Sequence, residues 1–381
     1  MELMLTDFQQ EMKDMARDFA LKTIGPKVKE YDREGIYPAE EVKKAAELGY
    51  TTMFLPEALG GMGLDHVTAS IVNEELGRVD AGFAIAVGVS ELGGLPIMKA
   101  GTEDQKKRLA DILVNKHGIC SFCLTEADAG SDAAALRTTA TKDGEEYIIN
   151  GTKTFITGGG VADIYTVFTT VDPSLGYKGI TCFQIEADRP GVSAGKEEDK
   201  MGIRLSNTSE VVFDNVRVPA DHMVGKVGQG LQLALGTLNQ TRAGGSASVV
   251  GTAQHAIDLA LDYAEVRKTF GYPIIKNQAV GFMLADMEIK VQSARQMVRY
   301  CQQLVDNGIV DARLGAIAKT LASDNAVAIC LDAIQIMGGF GYSREYDVEK
   351  LLRDAKIYQI FEGTNQIQRM TILGDMRHRK G

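Results

Sequence analysis

The feature that most constrains this chain is a change of hydrophobic period along its length. Residues 1 to about 117 carry apolar side chains at the three-to-four-residue spacing of helices. From about 119 to 218 the period falls to two, in short β-branched and aromatic runs separated by turn residues, which is typical of antiparallel strands. Helical spacing then returns near 229–266, 277–306, 310–337 and 345–360. A helix block, a strand block and a second helix block predict an α+β protein.

We predict three domains that pack closely, because no low-complexity linker separates the blocks. They are a helical domain at 1–118, an antiparallel β-barrel or sandwich domain at 119–225, and a helical-bundle domain at 226–381. The first helix should begin at a capping box formed by Thr6 and Gln9. A Rossmann fold is disfavoured, since the chain lacks strand–helix alternation and any GxGxxG motif after a strand.

Composition excludes several classes of function. A net charge of −10 argues against a nucleic-acid surface. No apolar run approaches about 18 uninterrupted residues, so we expect no insertion into a membrane. The five cysteines are scattered and odd in number, which suits a reducing compartment and predicts a cytoplasmic location. Cys120 and Cys123 form a CxxC within a strand-like segment, where buried small side chains are favoured over a redox or zinc site, and no metal site is expected.

Two segments of the β block could bind a flat or anionic ligand. In CLTEADAGSD, Gly130 and Ser131 offer small side chains and exposed backbone N–H groups. In NGTKTFITGGG, Phe155 and Thr157 share one strand face, where an aromatic ring and a hydroxyl could stack on and bind a planar ring. The alternatives are a turn-rich loop and an ordinary hairpin in the sheet core.

Two further segments lie at predicted helix ends in the C-terminal block. In RKTFGYPI, Arg267 and Lys268 follow a periodic helix, where basic residues are often only partners of the helix dipole. In QIMGGFGY, Gly338 and Gly339 leave backbone open to a ligand.

The segment IYQIFEGTNQIQR places one carboxylate, Glu362, among apolar residues. Gly363 is suited to end the preceding helix, and Thr364 to cap the following one, so Glu362 should lie at the junction of two helices. Poor hydration raises the pKa of a carboxyl group, which suits a base that removes a proton from a weak carbon acid. The alternative is a structural ion pair with Arg353 or Arg369.

Taken together, these segments resemble the acyl-CoA dehydrogenase family. The segments LTEADAGSD, GTKTFIT, DKMGIRLS, FDNVRVP, GQGL, YAEVRKTFGYPI, QIMGGFGYSREYDVEKLLRDAK and FEGTNQIQR follow one another in that family's order. The resemblance spans essentially the whole chain. It implies helical, β-barrel and four-helix-bundle domains, a homotetramer built as a dimer of dimers, non-covalent FAD, and an electron-transferring flavoprotein as electron acceptor.

The implied reaction is α,β-dehydrogenation of an acyl-CoA thioester. By resemblance, Glu362 removes the α-proton while hydride leaves the β-carbon for flavin N5. The backbone N–H of Glu362 and a flavin ribityl hydroxyl would bind the thioester carbonyl, and such donors can contribute roughly 3–4 kcal/mol each. The alternatives are an enoyl-CoA reductase on the same fold, a non-catalytic flavin-binding scaffold, and a related flavin monooxygenase.

The resemblance also assigns the cofactor contacts. The residues that it places around the flavin ring are Leu124, Thr125, Phe155 and Thr157. Ser131 would lie near the pyrophosphate, and Thr364 and Gln366 would complete the cofactor site. The residues that it places against the FAD of a neighbouring subunit are Arg267, Phe270, Gln335, Gly338 and Gly339.

The predicted substrate contacts are Glu91, Ser131, Arg242 and Gly363. Arg242 would help to order the CoA side. Glu91 stands on an otherwise apolar helix that by resemblance lines the acyl pocket. It either pairs with a base elsewhere, or faces the acyl chain as a contact for a polar or ring-shaped substrate or as a second proton acceptor. A short- or medium-chain substrate, branched or alicyclic forms included, is therefore expected.

Overall fold

The computed structural model describes residues 5–378, so the predicted outer bounds of the first and last domains lie outside it. The first part of the chain is helical, as predicted. Its helices are α1 (Asp7–Thr23), α2 (Val28–Glu34), α3 (Ala39–Glu47), α4 (His66–Val79), α5 (Ala81–Ala100) and α6 (Glu103–Ala110). Thr6 and Gln9 form the predicted capping box at the start of α1.

Two helical stretches, Ala81–Ala100 and Ala312–Phe340, are long and apolar enough to cross a membrane by length and composition alone. Core helices pass the same test, so this indication is weak. Most of α5 is buried inside the protein, against β1 (Cys120–Cys123) and α4. Glycines permit part of this packing, since a Cβ at Gly93 would lie 2.4 Å from the Cys120 carbonyl oxygen. The α5 helix is therefore a core element that lines the middle of the molecule.

The middle part is an eight-stranded sheet. The strands after β1 are β2 (Thr139–Asp143), β3 (Glu146–Thr157), β4 (Ile164–Thr170), β5 (Ile180–Glu186), β6 (Val192–Glu197), β7 (Thr208–Pro219) and β8 (Met223–Val224). The order is β6-β7-β3-β2-β4-β5-β8, with β1 paired to β4.

The expectation of purely antiparallel strands is wrong at two pairings. The β1 strand runs parallel to β4, and β2 meets β4 through one parallel pair, Thr139 with Thr170. Parallel neighbours need a long connection, and the chain supplies one between β1 and β4 through the β2–β3 hairpin. That connection was not visible in the alternation of the single strands.

The last part is a bundle of helices. They are α7 (Gly230–Gly245), α8 (Ala247–Val266), α9 (Gln278–Asp306), α10 (Ala312–Met337), α11 (Val348–Ile357) and α12 (Asn365–His378), with a small hairpin of β9 (Lys268–Thr269) and β10 (Tyr272–Pro273). The four long helices α7–α10 form the predicted bundle. The helical pattern predicted near 229–266 is confirmed, and Ser246 divides the segment into α7 and α8.

The two helical parts are joined by buried charges as well as by apolar packing. Lys350 on α11 donates hydrogen bonds to Asp80, which precedes α5, and to Asp354 on its own helix. All three side chains are almost fully buried. This ion triad fixes α11 against α5. As a result α5, α7, α10 and the connection from α11 to α12 meet in one place.

Candidate active site

The connection between α11 and α12 holds Glu362 in an uncommon backbone conformation. The α11 helix ends at Ile357, earlier than predicted, and both Glu362 (φ 53°) and Gly363 (φ 89°) have positive φ. Thr364 caps the next helix as predicted, since its Oγ1 accepts a hydrogen bond from the Ile367 N–H at 3.2 Å. Positive φ at a non-glycine residue is uncommon and requires support from the surrounding structure.

Three helices supply that support through the backbone carbonyls of the loop. The Glu362 carbonyl accepts from Arg242 Nε at 3.3 Å and from Gln368 Nε2 at 3.2 Å. The Gly363 carbonyl accepts from Lys319 Nζ and from Gln368 Nε2, both at 2.9 Å. The backbone N–H of Glu362, in contrast, donates to no protein group within residues 5–378. The loop therefore presents a free N–H donor beside its carboxylate.

The Glu362 carboxylate is half-buried and electrostatically perturbed. Burial raises its pKa, and the negative charge of Glu91 raises it further, while Arg242 and Lys319 act in the opposite direction. The alternative of an ion pair with Arg353 or Arg369 is wrong. Those two guanidinium groups bind other carboxylates in the C-terminal helices and α2. Glu362 thus has the raised proton affinity of a general base.

Glu91 belongs to the same site. Its effect on the pKa of Glu362 shows that the two carboxylates are within electrostatic reach of each other. Burial raises the pKa of Glu91, and His66 partly offsets that rise. Within the described residues, the Glu91 carboxylate forms no ion pair or hydrogen bond, and the imidazole of His66 binds Asp306 at 2.7 Å instead. Of the two alternatives for Glu91, an ion pair with a base is therefore not found within residues 5–378.

The predicted flavin-ring residues lie together where β1 and β3 end. The Thr125 carbonyl accepts from the Thr154 N–H at 2.9 Å, and a register shift in β3 between Lys153 and Ile156 accompanies this contact. At the shift Phe155 has φ 55° and its side chain is 64% exposed. A bulge of this kind redirects a side chain out of the sheet. The aromatic ring of Phe155 is therefore open to a ligand.

A buried ion pair between Lys153 and Glu126 fixes the backbone beside these predicted flavin-ring residues. Lys153 Nζ binds the Leu124 carbonyl at 3.1 Å and Glu126 at 2.7 Å, and both side chains are buried. Glu126 also accepts the backbone N–H groups of Arg137 and Thr138. This network fixes the chain that leads from Leu124 to the loop at Gly130.

That loop fits a phosphate group. The backbone N–H groups of Gly130 and Ser131 donate to no protein acceptor within residues 5–378, and Ser131 is exposed. A Cβ placed at Gly130 would meet no atom within 4 Å. Free N–H groups on an open loop are a common anion site. Together with the exposed ring of Phe155, they fit the pyrophosphate and ring of a dinucleotide such as FAD.

The residues predicted to reach a neighbouring subunit's cofactor form a second, exposed group. Arg267 ends α8, and its guanidinium lies 5.7 Å from the centre of the Phe340 ring, in the turn that follows α10. Phe270, at the tip of the β9–β10 hairpin, has φ 53° and is 93% exposed. The remaining members of this group, also exposed, are Gln335, Gly338 and Gly339. Gln366, on α12 beside the Glu362 loop, is exposed as well.

The CxxC cysteines have no chemical role that the structure supports. Cys120 and Cys123 are free and buried, and burial raises the pKa of each thiol. Within residues 5–378 no cluster of His, Cys, Asp and Glu is able to hold a metal ion. The structural interpretation of this motif therefore fits best.

Comparison with known proteins identifies the class. The family descriptions "Acyl-CoA dehydrogenase, N-terminal domain", "middle domain" and "C-terminal domain" match residues 6–116, 121–216 and 228–376. An acyl-CoA dehydrogenase of Bacillus subtilis is 42% identical over 369 residues, which are 97% of each chain.

Similar solved structures indicate the same family. Butyryl-CoA dehydrogenase from Megasphaera elsdenii has a TM-score of 0.96 at 42% identity, over 99% of this chain and 100% of that one. A chain described with the electron-transferring flavoprotein of Acidaminococcus fermentans has the same TM-score and identity, over 99% of each chain. Fold and site define an FAD-dependent oxidoreductase. The chain belongs to the acyl-CoA dehydrogenase family.

Lys319 and Gln368, whose side chains bind the backbone carbonyls of the Glu362 loop, were not identified from the sequence. Lys319 is 1% exposed and Gln368 is fully buried. One signal was available for Lys319, since it stands alone among small and apolar residues in LGAIAKTLA, where an unpaired lysine is costly. No comparable signal marks Gln368.

Proposed function

We propose that this protein oxidises an acyl-CoA thioester to the 2-enoyl-CoA, with Glu362 as the base. The observation that carries the proposal is the presence, on one residue, of a half-buried carboxylate of raised pKa and a backbone N–H that has no protein acceptor in the part of the chain that the structure describes. Removal of an α-proton needs both groups, because the proton must be accepted while negative charge on the carbonyl oxygen is stabilised.

The chain's own residues would act in a defined order. The Glu362 N–H binds the thioester carbonyl oxygen and lowers the pKa of the α-C–H bond. The α-C–H bond then breaks, its proton moves to the Glu362 carboxylate, and the electron pair forms the new Cα=Cβ bond. FAD, held by Leu124, Thr125, Phe155 and Thr157, would supply the acceptor for the hydride that leaves the β-carbon. Atoms and electrons balance, since one proton and one hydride leave the acyl chain.

The cofactor would be held by the two groups already described. Leu124, Thr125, Phe155 and Thr157 surround the expected ring position, and Ser131 the pyrophosphate, with Thr364 and Gln366 completing the site. The second, exposed group around Arg267 would bind the FAD of another subunit. An arginine and an almost fully exposed phenylalanine beside open glycine backbone suit that contact, because each needs a partner.

Substrate specificity would depend on Glu91. A carboxylate without an ion pair in the acyl cleft is unfavourable for a long alkyl chain, and it suits a short, branched or ring-shaped acyl group with a polar contact. Relatives of this fold act on different acyl groups, among them butyryl-CoA in Megasphaera elsdenii and glutaryl-CoA in another neighbour. Arg242 and Gly363, which frame the Glu362 loop, and Ser131 are the other expected substrate contacts.

Assembly and electron transfer are also proposals. The outer faces of α9, α10 and α12 expose the large apolar side chains Ile289, Leu331, Met370, Leu373 and Met376. Such a surface favours association of identical subunits into the tetramer, a dimer of dimers. The similar chain described with an electron-transferring flavoprotein supports that protein as the electron acceptor. Five free, buried cysteines suit the predicted cytoplasmic location.

A panel of acyl-CoA esters tests the proposal. C4 to C8 straight, branched, dicarboxylic and cyclic esters would be added anaerobically to the yellow holoenzyme, and loss of flavin absorbance recorded. Reduction by at least one saturated ester supports dehydrogenation. Binding of FAD without reduction by any ester favours the scaffold, and faster oxidation of the reduced enzyme by enoyl-CoA favours the reductase.

A further inference from the structure

The ammonium group of Lys319 binds the loop that carries Glu362 at two points. Its Nζ lies 2.9 Å from the Gly363 carbonyl and 2.8 Å from Asn365 Oδ1. The Asn365 amide is itself fixed, since it donates to Ser323 Oγ at 2.9 Å and to Asp324 Oδ1 at 2.7 Å. The ammonium therefore connects α10 to the residues on both sides of Thr364.

The position of Lys319 explains how the strained loop persists. A non-glycine residue at positive φ is strained and is retained only where its surroundings enforce it. The Glu362 and Gly363 carbonyls accept hydrogen bonds from Arg242, Lys319 and Gln368, and within residues 5–378 the Glu362 N–H has no protein acceptor. Release of the Gly363 carbonyl would free the Gly363–Thr364 peptide to rotate, and the strained backbone at Glu362 would then relax and turn its N–H to a new direction.

Lys319 also brings positive charge to the carboxylate. The charged and titratable groups that face Glu362 are Glu91 on α5, Arg242 on α7, Lys319 on α10 and Tyr358 at the end of α11. Behind them, His66 faces Glu91, and Asp324 faces Lys319. The facing residue of α12, Gln368, is uncharged. Arg242 and Lys319 are thus the two cations that favour the ionised form of the base.

Burial has the opposite effect on the lysine. It lowers the pKa of Lys319 to about 8, with Glu362 partly opposing this shift. A lysine without a function would seldom remain buried at such a cost when a methionine fills similar space.

We propose that Lys319 is a positioning residue for the dehydrogenation, which holds the Glu362–Gly363 backbone in its active conformation and brings a positive charge to the loop that carries the Glu362 carboxylate. The inference rests on the proposed function, since it assigns Lys319 a role at that site. It makes two separable claims, one about backbone geometry and one about charge. Variants of Lys319 and Gln368 separate them, because Gln368 also binds the Gly363 carbonyl but carries no charge.

The experiment uses the holoenzyme and the variants Lys319→Met, Lys319→Arg and Gln368→Leu. Lys200→Met is the matched control, because Lys200 is a half-buried lysine that donates to a single backbone carbonyl, that of Ser206, outside the site. Hydrogen exchange of the amides at 361–365 reports geometry without any need for turnover. Anaerobic flavin reduction, measured against pH, reports the charge.

In Lys319→Met we expect exchange at 361–365 to be at least tenfold faster and flavin reduction about 10- to 100-fold slower, with little change in binding of a non-oxidisable CoA ester. The acidic limb of the rate profile should move up by about one pH unit, because an opposite charge near a carboxyl group lowers its pKa. In Lys319→Arg the acidic limb of the rate profile should return to its wild-type pH. Gln368→Leu should speed hydrogen exchange at 361–365 and leave the acidic limb at its wild-type pH. Lys200→Met should match the wild type in both measurements.

Two results would overturn the inference. One is wild-type exchange at 361–365 in Lys319→Met, and the other is an unmoved acidic limb in an active Lys319→Met enzyme. If Lys319→Met fails to fold, an altered limb in Lys319→Arg together with unchanged exchange in Gln368→Leu would also contradict it. If the wild type oxidises no acyl-CoA ester, the proposed function fails, and the exchange data alone still decide whether Lys319 holds the loop.

Discussion

Replacement of Glu362 by glutamine is the most direct perturbation of the proposed chemistry. The amide has nearly the shape of the carboxylate and lacks its proton affinity. The structure indicates that the loop would stay in place, because Arg242, Lys319 and Gln368 bind the backbone carbonyls and not the side chain. The N–H donor for the thioester carbonyl remains as well. The change therefore removes proton acceptance and little else.

The expected loss of rate is the contribution of the base alone, because the substitution removes proton acceptance and leaves the loop in place. A positioned general base contributes up to about 10⁴-fold, which equals about 5.5 kcal/mol of activation free energy. We expect Glu362→Gln to lose about that factor in flavin reduction, because within residues 5–378 the other carboxylate that perturbs Glu362 is Glu91, on a different helix. Binding of FAD and of a CoA ester should change less than threefold.

The assay is anaerobic single-turnover reduction of the bound flavin by the best acyl-CoA of the panel. Glu349→Gln is the control, since Glu349 lies on the preceding helix, α11, and binds Arg353. That variant should reduce its flavin at the wild-type rate. Reduction of Glu362→Gln within tenfold of wild type would refute the reasoning, and it would point to Glu91 or another group as the base.

Two further predictions concern the neighbouring carboxylate and the buried ion triad. Glu91 raises the pKa of Glu362, so Glu91→Gln should lower that pKa and move the acidic limb of kcat/KM to lower pH; an unmoved limb would show that the two groups do not interact. Lys350→Met leaves the Asp80 and Asp354 carboxylates buried without their cation. We expect the free energy of unfolding in urea to fall by about 3–5 kcal/mol, and a loss below about 1 kcal/mol would contradict this account.

Local patterns predicted most of the elements. The capping residues Thr6 and Gln9, the helical spacing of both outer blocks and the short strands of the middle block all have causes within a few residues. The misplaced features have distant causes. The parallel pairing of β1 with β4 requires a connection through two other strands, and alternation along one strand does not record the direction of its neighbour.

The residues of the site also differ in whether their causes are local or distant in the sequence. Glu362 was visible in the sequence because a carboxylate among apolar residues is costly, and the family resemblance then implied a role for it. The side chains that donate hydrogen bonds to the carbonyls of its loop could not be identified as a group from the sequence. Arg242, Lys319 and Gln368 stand on three different helices and meet at two carbonyl groups, so their common function depends on helix packing and not on spacing.

By itself, then, the sequence determined the order of helical and β domains, the family, the cofactor class and the candidate base. Only the tertiary structure decided that Glu362 has positive φ, that its N–H has no protein acceptor among the described residues, and that Glu91 perturbs its pKa. The reason is physical. Hydrophobic period and capping act between residues a few positions apart, whereas the pKa of a carboxyl group and the strain of a loop depend on charges and donors that only folding brings together.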